Sequence, residues 1–300
     1  MIKLTHFEII KLFRRKWIWG ILVFLLSVNV YNIFFVYESV NSSKTEGFVE
    51  IYDQVKGTLT DEKIDFVVSG YKELSKKVKD NEINHEYDDR YYSGYVMGDY
   101  NLFEDFYNEL KYVHDNKNLD AYYYVDDTEK FIKYDFSTLL MVLISILAVT
   151  ASVLEDRNDG MRIIEKCCYK GNIKIIMSKI MGVVIFSAIF VAVFAFSDII
   201  SFMIRWGIEG MSQPLCAIKS YEHTKWSGSI SWFILFQYLL KLLGVIFFAI
   251  VTYIASEISK NKKVTIIIAL VIYIFFIYLS VVDKEIINPI LLFDNWEFWR

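Results

Sequence analysis

"FSTLLMVLISILAVTASVL", residues 136–154, runs for nineteen residues without a charge, and the strongly charged "EDRNDG" follows it directly. A helix crossing a hydrocarbon core needs roughly 20 mainly apolar residues at about 1.5 Å each. The stretch is long enough to be such a helix. Four further blocks share its character. Residues 17–36, 180–197 and 264–282 carry no charge, and residues 229–256 carry only Lys241. Hydrophobic residues make up 55% of the 300-residue chain. Soluble domains run nearer 45–50%, and the excess is concentrated in these blocks. In a bilayer the backbone must satisfy its own hydrogen bonds, so the blocks are expected to be helices. The sequence therefore predicts an α-helical polytopic membrane protein with five clear transmembrane helices: 17–36, 136–154, 175–198, 231–256 and 264–282. The first is expected to be an uncleaved anchor. Its apolar run is long, lacks a small-x-small cleavage site and ends in the bulky "YNIFFVYE".

Lysine and arginine placement sets the expected orientation. The first sixteen residues hold Lys3, Lys11, Arg14, Arg15 and Lys16 against Glu8 alone, which places the N-terminus in the cytoplasm. Residues 155–174 then form a basic cytoplasmic loop and residues 257–263, "EISKNKK", a basic cytoplasmic turn. Residues 37–135 and 199–230 fall outside, and 283–300 form an extracytoplasmic or re-entrant tail. Residues 37–135 hold 23 acidic against 12 basic residues, a net of −11, whereas the whole chain is only −4. The acidity is thus localised, and the topology is self-consistent. The expected location is the plasma membrane of a bacterial cell, multi-pass, in contact with its lipid.

Residues 1–16 can be read more closely. Phe7, Ile10, Phe13 and Trp17 recur at helical spacing while the cations fall largely elsewhere. This predicts an interfacial helix, apolar side toward lipid. A plain positive-inside extension of the first span is the alternative. The outer segment 37–135 is too long for a simple loop and is expected to be a mainly helical domain. Ile64, Val67, Val68, Tyr71, Leu74 and Val78 form one helical stripe, and Leu102, Phe103, Phe106, Tyr107, Leu110 and Val113 another. "AYYYV" (121–125) suits a short strand. The tyrosine-rich "HEYDDRYYSGYVMGDY" (85–100) suits a solvated connection, or a surface for a cationic ligand.

Enzyme chemistry finds little support. The chain has no G-x-x-x-x-G-K-[ST] phosphate loop, so no ATPase site of that kind is its own. Its four histidines are scattered without metal-ligand spacing. Cys167 and Cys168 are adjacent and Cys216 stands alone, so no disulfide framework is implied. No catalytic residue, cofactor, metal or nucleic-acid partner is expected. One ionisable residue lies well inside a block. Lys241 is about 13–15 Å from the outer end of its span, where an ammonium costs roughly 2.5–3.5 kcal/mol and should face protein or water. Gln237 lies one turn earlier on the same face, and Asp198 closes the third block. The three residues form an expected intramembrane polar site, with Lys241 directed at Asp198 or at an anionic part of a cargo. Snorkelling of the lysine to the headgroups is the alternative.

The loop after 136–154 carries a more specific pattern. Glu155 and Asp156 are followed by Gly160, by an amphipathic segment with Arg162, Glu165 and Lys166, and by Lys179 at the start of the third span. This register resembles the ABC-2 family of ABC-transporter permease subunits. That family has an acidic pair and a glycine at the cytoplasmic end of the second span and a lysine at the start of the third. Residues 1–16 resemble its elbow helix. The likeness covers 154–179 as motif and 1–282 as layout. Tyr169 and Asn172 depart from it, standing where the family often has proline and arginine, and the family's sixth span is not evident. The resemblance implies the membrane subunit of an ATP-driven exporter of a hydrophobic or amphipathic substrate such as a peptide, drug or lipid. It also implies cytoplasmic ABC ATPase subunits as partners and pairing with a second permease chain, as a homo- or heterodimer. Glu155, Asp156, Gly160, Arg162, Glu165, Lys166 and Lys179 would then couple the chain to its ATPase. A membrane-anchored sensor whose outer domain binds a ligand, and a membrane-embedded enzyme, are the competing classes.

Overall fold

The computed structural model describes residues 2–37, 46–84, 95–116, 119–158, 171–282 and 289–293. Five helices among them are long and apolar enough to cross a membrane. The chain divides into two units, one made of residues 1–39, 130–207 and 231–300, the other of 40–129 and 208–230.

In the first unit α1 (Ile2–Phe13) is followed by α2 (Lys16–Tyr31), which continues through a π-helical turn, Asn32–Val36. α7 (Phe136–Asn158), α8 (Gly171–Trp206), α9 (Ile230–Ser259) and α10 (Lys262–Val282) complete the spans. α7 is central. It packs against α2, α8 and α10, and 83% of its span is buried, against 17% for α10. The core joins Leu140, Met141 and Ile144 of α7 to Phe186 and Phe190 of α8 and Phe248 of α9. The α9–α10 turn is sharp because Lys260 adopts φ 57° and the Asn261 side chain accepts a bond from the Lys263 amide at 3.0 Å, capping α10.

α1 packs along α8. The hydroxyls of Thr5 and Ser178 lie 3.4 Å apart, and Leu12 is buried. Leu4, Phe7, Ile10 and Trp17 remain exposed, an uncovered apolar face of the kind an interfacial helix offers to lipid. Phe13 departs from the expected stripe. Its ring meets Phe186 edge-on at 5.5 Å and faces protein.

Helix ends differ from the uncharged blocks. α8 runs past the expected 175–198 to Trp206, so residues 199–206 are helix and not loop. The second span has a longer structured run than 136–154, because α6 (Asp126–Ile132) leads into it before a break at Lys133–Asp135. The chain after α10 does not simply leave the bundle. A 3-10 turn at Pro289–Leu292 packs against α10, and Phe293 is buried against Phe248 with ring centroids 6.0 Å apart.

The second unit contains α3 (Glu46–Val55), α4 (Asp61–Asn84), α5 (Met97–Asp115) and most of α6. Both helical stripes are helices, and α4 packs on α5. β2 is shorter than "AYYYV": only Ala121–Tyr122 pairs, antiparallel, with β1 at Gly57–Thr58. Residues 208–230 belong to this unit. Leu215, Ile218 and Tyr221 are buried in it, and the Tyr112 hydroxyl donates to the Cys216 carbonyl at 2.6 Å.

Candidate functional site: a polar cluster among the apolar spans

A helix break within a span leaves backbone carbonyls without intrahelical donors, and in an apolar bundle each orphan is costly. α6 stops at Ile132 and α7 begins at Phe136. Two carbonyls at the break are met from α9. Gln237 donates its side-chain amide to the Ile132 carbonyl at 3.4 Å, and the Lys241 ammonium donates to the Tyr134 carbonyl at 2.9 Å. Gln237 and Lys241 are four residues apart and share one helical face, so one helix serves both orphans. The Lys241 nitrogen also lies 3.1 Å from an Asp135 carboxylate oxygen and 5.3 Å from the centre of the Tyr238 ring.

Tyr238 also touches Asp198. Asp198 is fully buried. Asn29 donates to one carboxylate oxygen at 2.6 Å and the Tyr238 hydroxyl to the other at 2.8 Å. The Tyr134 hydroxyl lies 2.9 Å from the Asn29 side-chain oxygen and 3.1 Å from that of Asn32. A continuous chain of polar contacts thus runs Asp135–Lys241–Tyr134–Asn29–Asp198–Tyr238 and ties α2, α8 and α9 to the break. At the Trp206 end of α8, Arg205 donates to the carbonyls of Ile33 and Tyr37, the latter at 2.7 Å, and lies over the Trp206 ring at 3.9 Å. It holds the π-helical end of α2.

The expected trio of Lys241, Gln237 and Asp198 is therefore gathered in one cluster, but with different partners. Lys241 pairs with Asp135, not with Asp198. At 3% exposure Lys241 is buried in the bundle. Sequence reasoning missed Asn29, Tyr134, Asp135 and Tyr238. Asn29 and Asn32 were visible as polar residues in an otherwise apolar run. Asp135 sits one residue outside an uncharged block and read as the end of the outer domain.

The other expected site is the 155–174 loop. Glu155 and Asp156 stand in the last turns of α7. Gly160, Arg162, Glu165 and Lys166 lie outside the described residues. Lys179 is half-buried on the part of α8 that meets α1. Burial pushes the Lys11 ammonium of α1 below its ordinary value; Glu8, 3.5 Å away, opposes this, and Lys179 and Arg15 add to it.

Residues 85–94 of the tyrosine-rich segment also lie outside the described residues. Tyr100 stacks on Tyr71 at 5.7 Å, and Tyr71 on Tyr107 at 4.9 Å. Nearby, a cavity of about 270 Å³ opens between Ile64, Val67 and Val68 of α4 and Leu110 and His114 of α5. Among the described residues no group of three or more His, Cys, Asp or Glu is placed to hold a metal ion. Comparison with protein-family models, curated proteins and solved structures found no match.

Proposed function

We propose that the chain is the membrane-spanning subunit of an ATP-driven exporter, of the ABC-2 permease kind, that moves a hydrophobic or amphipathic substrate. The observation that carries this is the register of Glu155 and Asp156, Gly160 and Lys179 across the segment joining α7 to α8. An amphipathic N-terminal helix packed on α8, with its apolar face uncovered, supports it. So do five helices of spanning length and composition.

In this proposal residues 155–174 form the coupling segment. Gly160 permits a sharp change of backbone direction, and Arg162, Glu165 and Lys166 suit a protein partner better than lipid. Hydrolysis belongs to a separate cytoplasmic ATPase, and a second permease chain completes the path. The protein would sit in a bacterial plasma membrane with its N-terminus in the cytoplasm. The test is charge reversal, Arg162→Glu with Lys166→Glu. The double variant should lose co-purification of the ATPase, or hydrolyse ATP without transport. A double variant that binds and stimulates the ATPase like wild type overturns the assignment.

A second proposal, a ligand sensor, is favoured by one observation, the 270 Å³ cavity of the second unit. A kinase or regulator recovered with the protein in place of an ATPase would support it.

A further inference from the structure

Three chemical features surround the Lys241 nitrogen: a carboxylate oxygen of Asp135 at 3.1 Å, the Tyr134 carbonyl at 2.9 Å and the Tyr238 ring at 5.3 Å. An ammonium has donors and positive charge but no acceptor, and these are the three things it can use: opposite charge, a carbonyl lone pair and an aromatic face. The carbonyl is available because of the break between α6 and α7, where Tyr134 has left helical geometry. Discontinuous helices in membranes place such carbonyls where cations are held.

An anion would find the reverse. The Asn29 amide and the Tyr238 hydroxyl are already directed at Asp198, and the Gln237 amide at the Ile132 carbonyl. If Lys241 withdrew, Asp135 and Asp198 would remain as two carboxylates, and only a cation could replace the lost charge. Breaking a buried pair by removing one partner is far costlier than never having built it. We propose that the pocket formed by the Asp135 carboxylate, the Tyr134 carbonyl and the Tyr238 ring is a recognition site for a primary ammonium group, which Lys241 fills with its own side chain in this conformation. An amphipathic primary amine is the ligand class that fits, its head in the pocket and its alkyl part among the spans. This reverses the sequence expectation that Lys241 faces an anionic part of a cargo. It depends on no ATPase and stands or falls apart from the transport proposal.

Chemical rescue tests it on the purified full chain in detergent. Lys241→Ala removes all but the Cβ of the side chain, and n-propylammonium supplies the missing atoms. The thermal midpoint of Lys241→Ala should rise saturably with n-propylammonium chloride, and not with n-propanol or with sodium chloride at equal ionic strength. Wild type, its pocket already filled, should not respond, nor should Lys241→Ala with Asp135→Asn. No rise in Lys241→Ala, or an equal rise in all three proteins, overturns the site. If Lys241→Ala does not fold, amine-selective labelling read by mass spectrometry decides. Lys241 should be protected in wild type and label about tenfold faster in Asp135→Asn, as expected for loss of the 3.1 Å ion pair. Equal protection in the two proteins overturns the site.

Discussion

Asn29 and Asp198, 169 residues apart in sequence, are joined by a 2.6 Å hydrogen bond in which the asparagine amide donates to a fully buried carboxylate. Both side chains are buried away from the surface. Removing one leaves the other with unmet demand, which typically costs about 1–3 kcal/mol. Asn29→Leu should therefore destabilise the protein by that amount in detergent unfolding. The Asn29→Leu/Asp198→Leu pair should cost less than the sum of the two single changes, because no charge is then stranded. Strict additivity would mean that the bond does not couple α2 to α8.

Lys241 and Asp135 form a second such pair, less shielded on the acid side, where Asp135 keeps 28% of its side chain exposed. Stranding one partner of a buried pair costs roughly 3–5 kcal/mol, and the exposure of Asp135 moves the expectation to the lower end of that range. Lys241→Met should lower stability accordingly. Lys241→Arg should retain part, since it keeps charge and donors in a different geometry. Lys241→Met with Asp135→Leu should recover most of the loss. Reversible unfolding of the four proteins closes the cycle, and no recovery in the double variant would contradict the pairing.

The five spans were legible because apolar composition is a property of contiguous sequence. Their ends and partners were not. Asp198 looked like the end of a span, since an isolated carboxylate is excluded from hydrocarbon; Asn29 and Tyr238, 169 and 40 residues away, supply the donors that let α8 continue to Trp206. α6 was concealed by its own Asp127, Glu129 and Lys130. The break at Tyr134 exists because α9 meets its carbonyl, and no local pattern encodes that. Nothing local in residues 208–230 announces their packing partner, which the Tyr112 bond to the Cys216 carbonyl shows.

Gly244 controls the chain after α10. A Cβ built at this position would run into the Phe293 ring, so the ring occupies the space that a side chain would need. Phe293 is 3% exposed and packs against Phe248, so it cannot simply swing away. Overpacking of this kind costs about 1–3 kcal/mol. Gly244→Ala should show that loss, and the same change in a Phe293→Ala background should cost much less. Thermal unfolding of the two pairs measures the difference. An equal cost in both backgrounds would show that the residue-293 ring does not seat against α9.

The last prediction concerns pH and the second unit. Glu109 of α5 accepts a hydrogen bond from the Tyr122 hydroxyl. Burial first, then the nearby Asp126 and Asp105, raise its carboxyl from an ordinary 4.5 to about 7, against the opposing effects of Tyr122 and Lys219. A carboxyl raised in the folded state binds its proton more tightly there than in the unfolded chain. Between pH 4.5 and about 7 the folded unit therefore carries the extra proton, and stability must fall as pH rises through this window. Below it both states are protonated and the contribution is fully present; above it both are ionised and it is gone. The full span is on the order of 3 kcal/mol at most. Hydrogen exchange of the α5 and β2 amides, corrected for the intrinsic pH dependence of exchange, should show protection declining from pH 5 to pH 7.5 in wild type. Glu109→Gln keeps the shape without the titration and should flatten the profile. If wild type and Glu109→Gln decline in parallel, a different group governs the pH response of this unit.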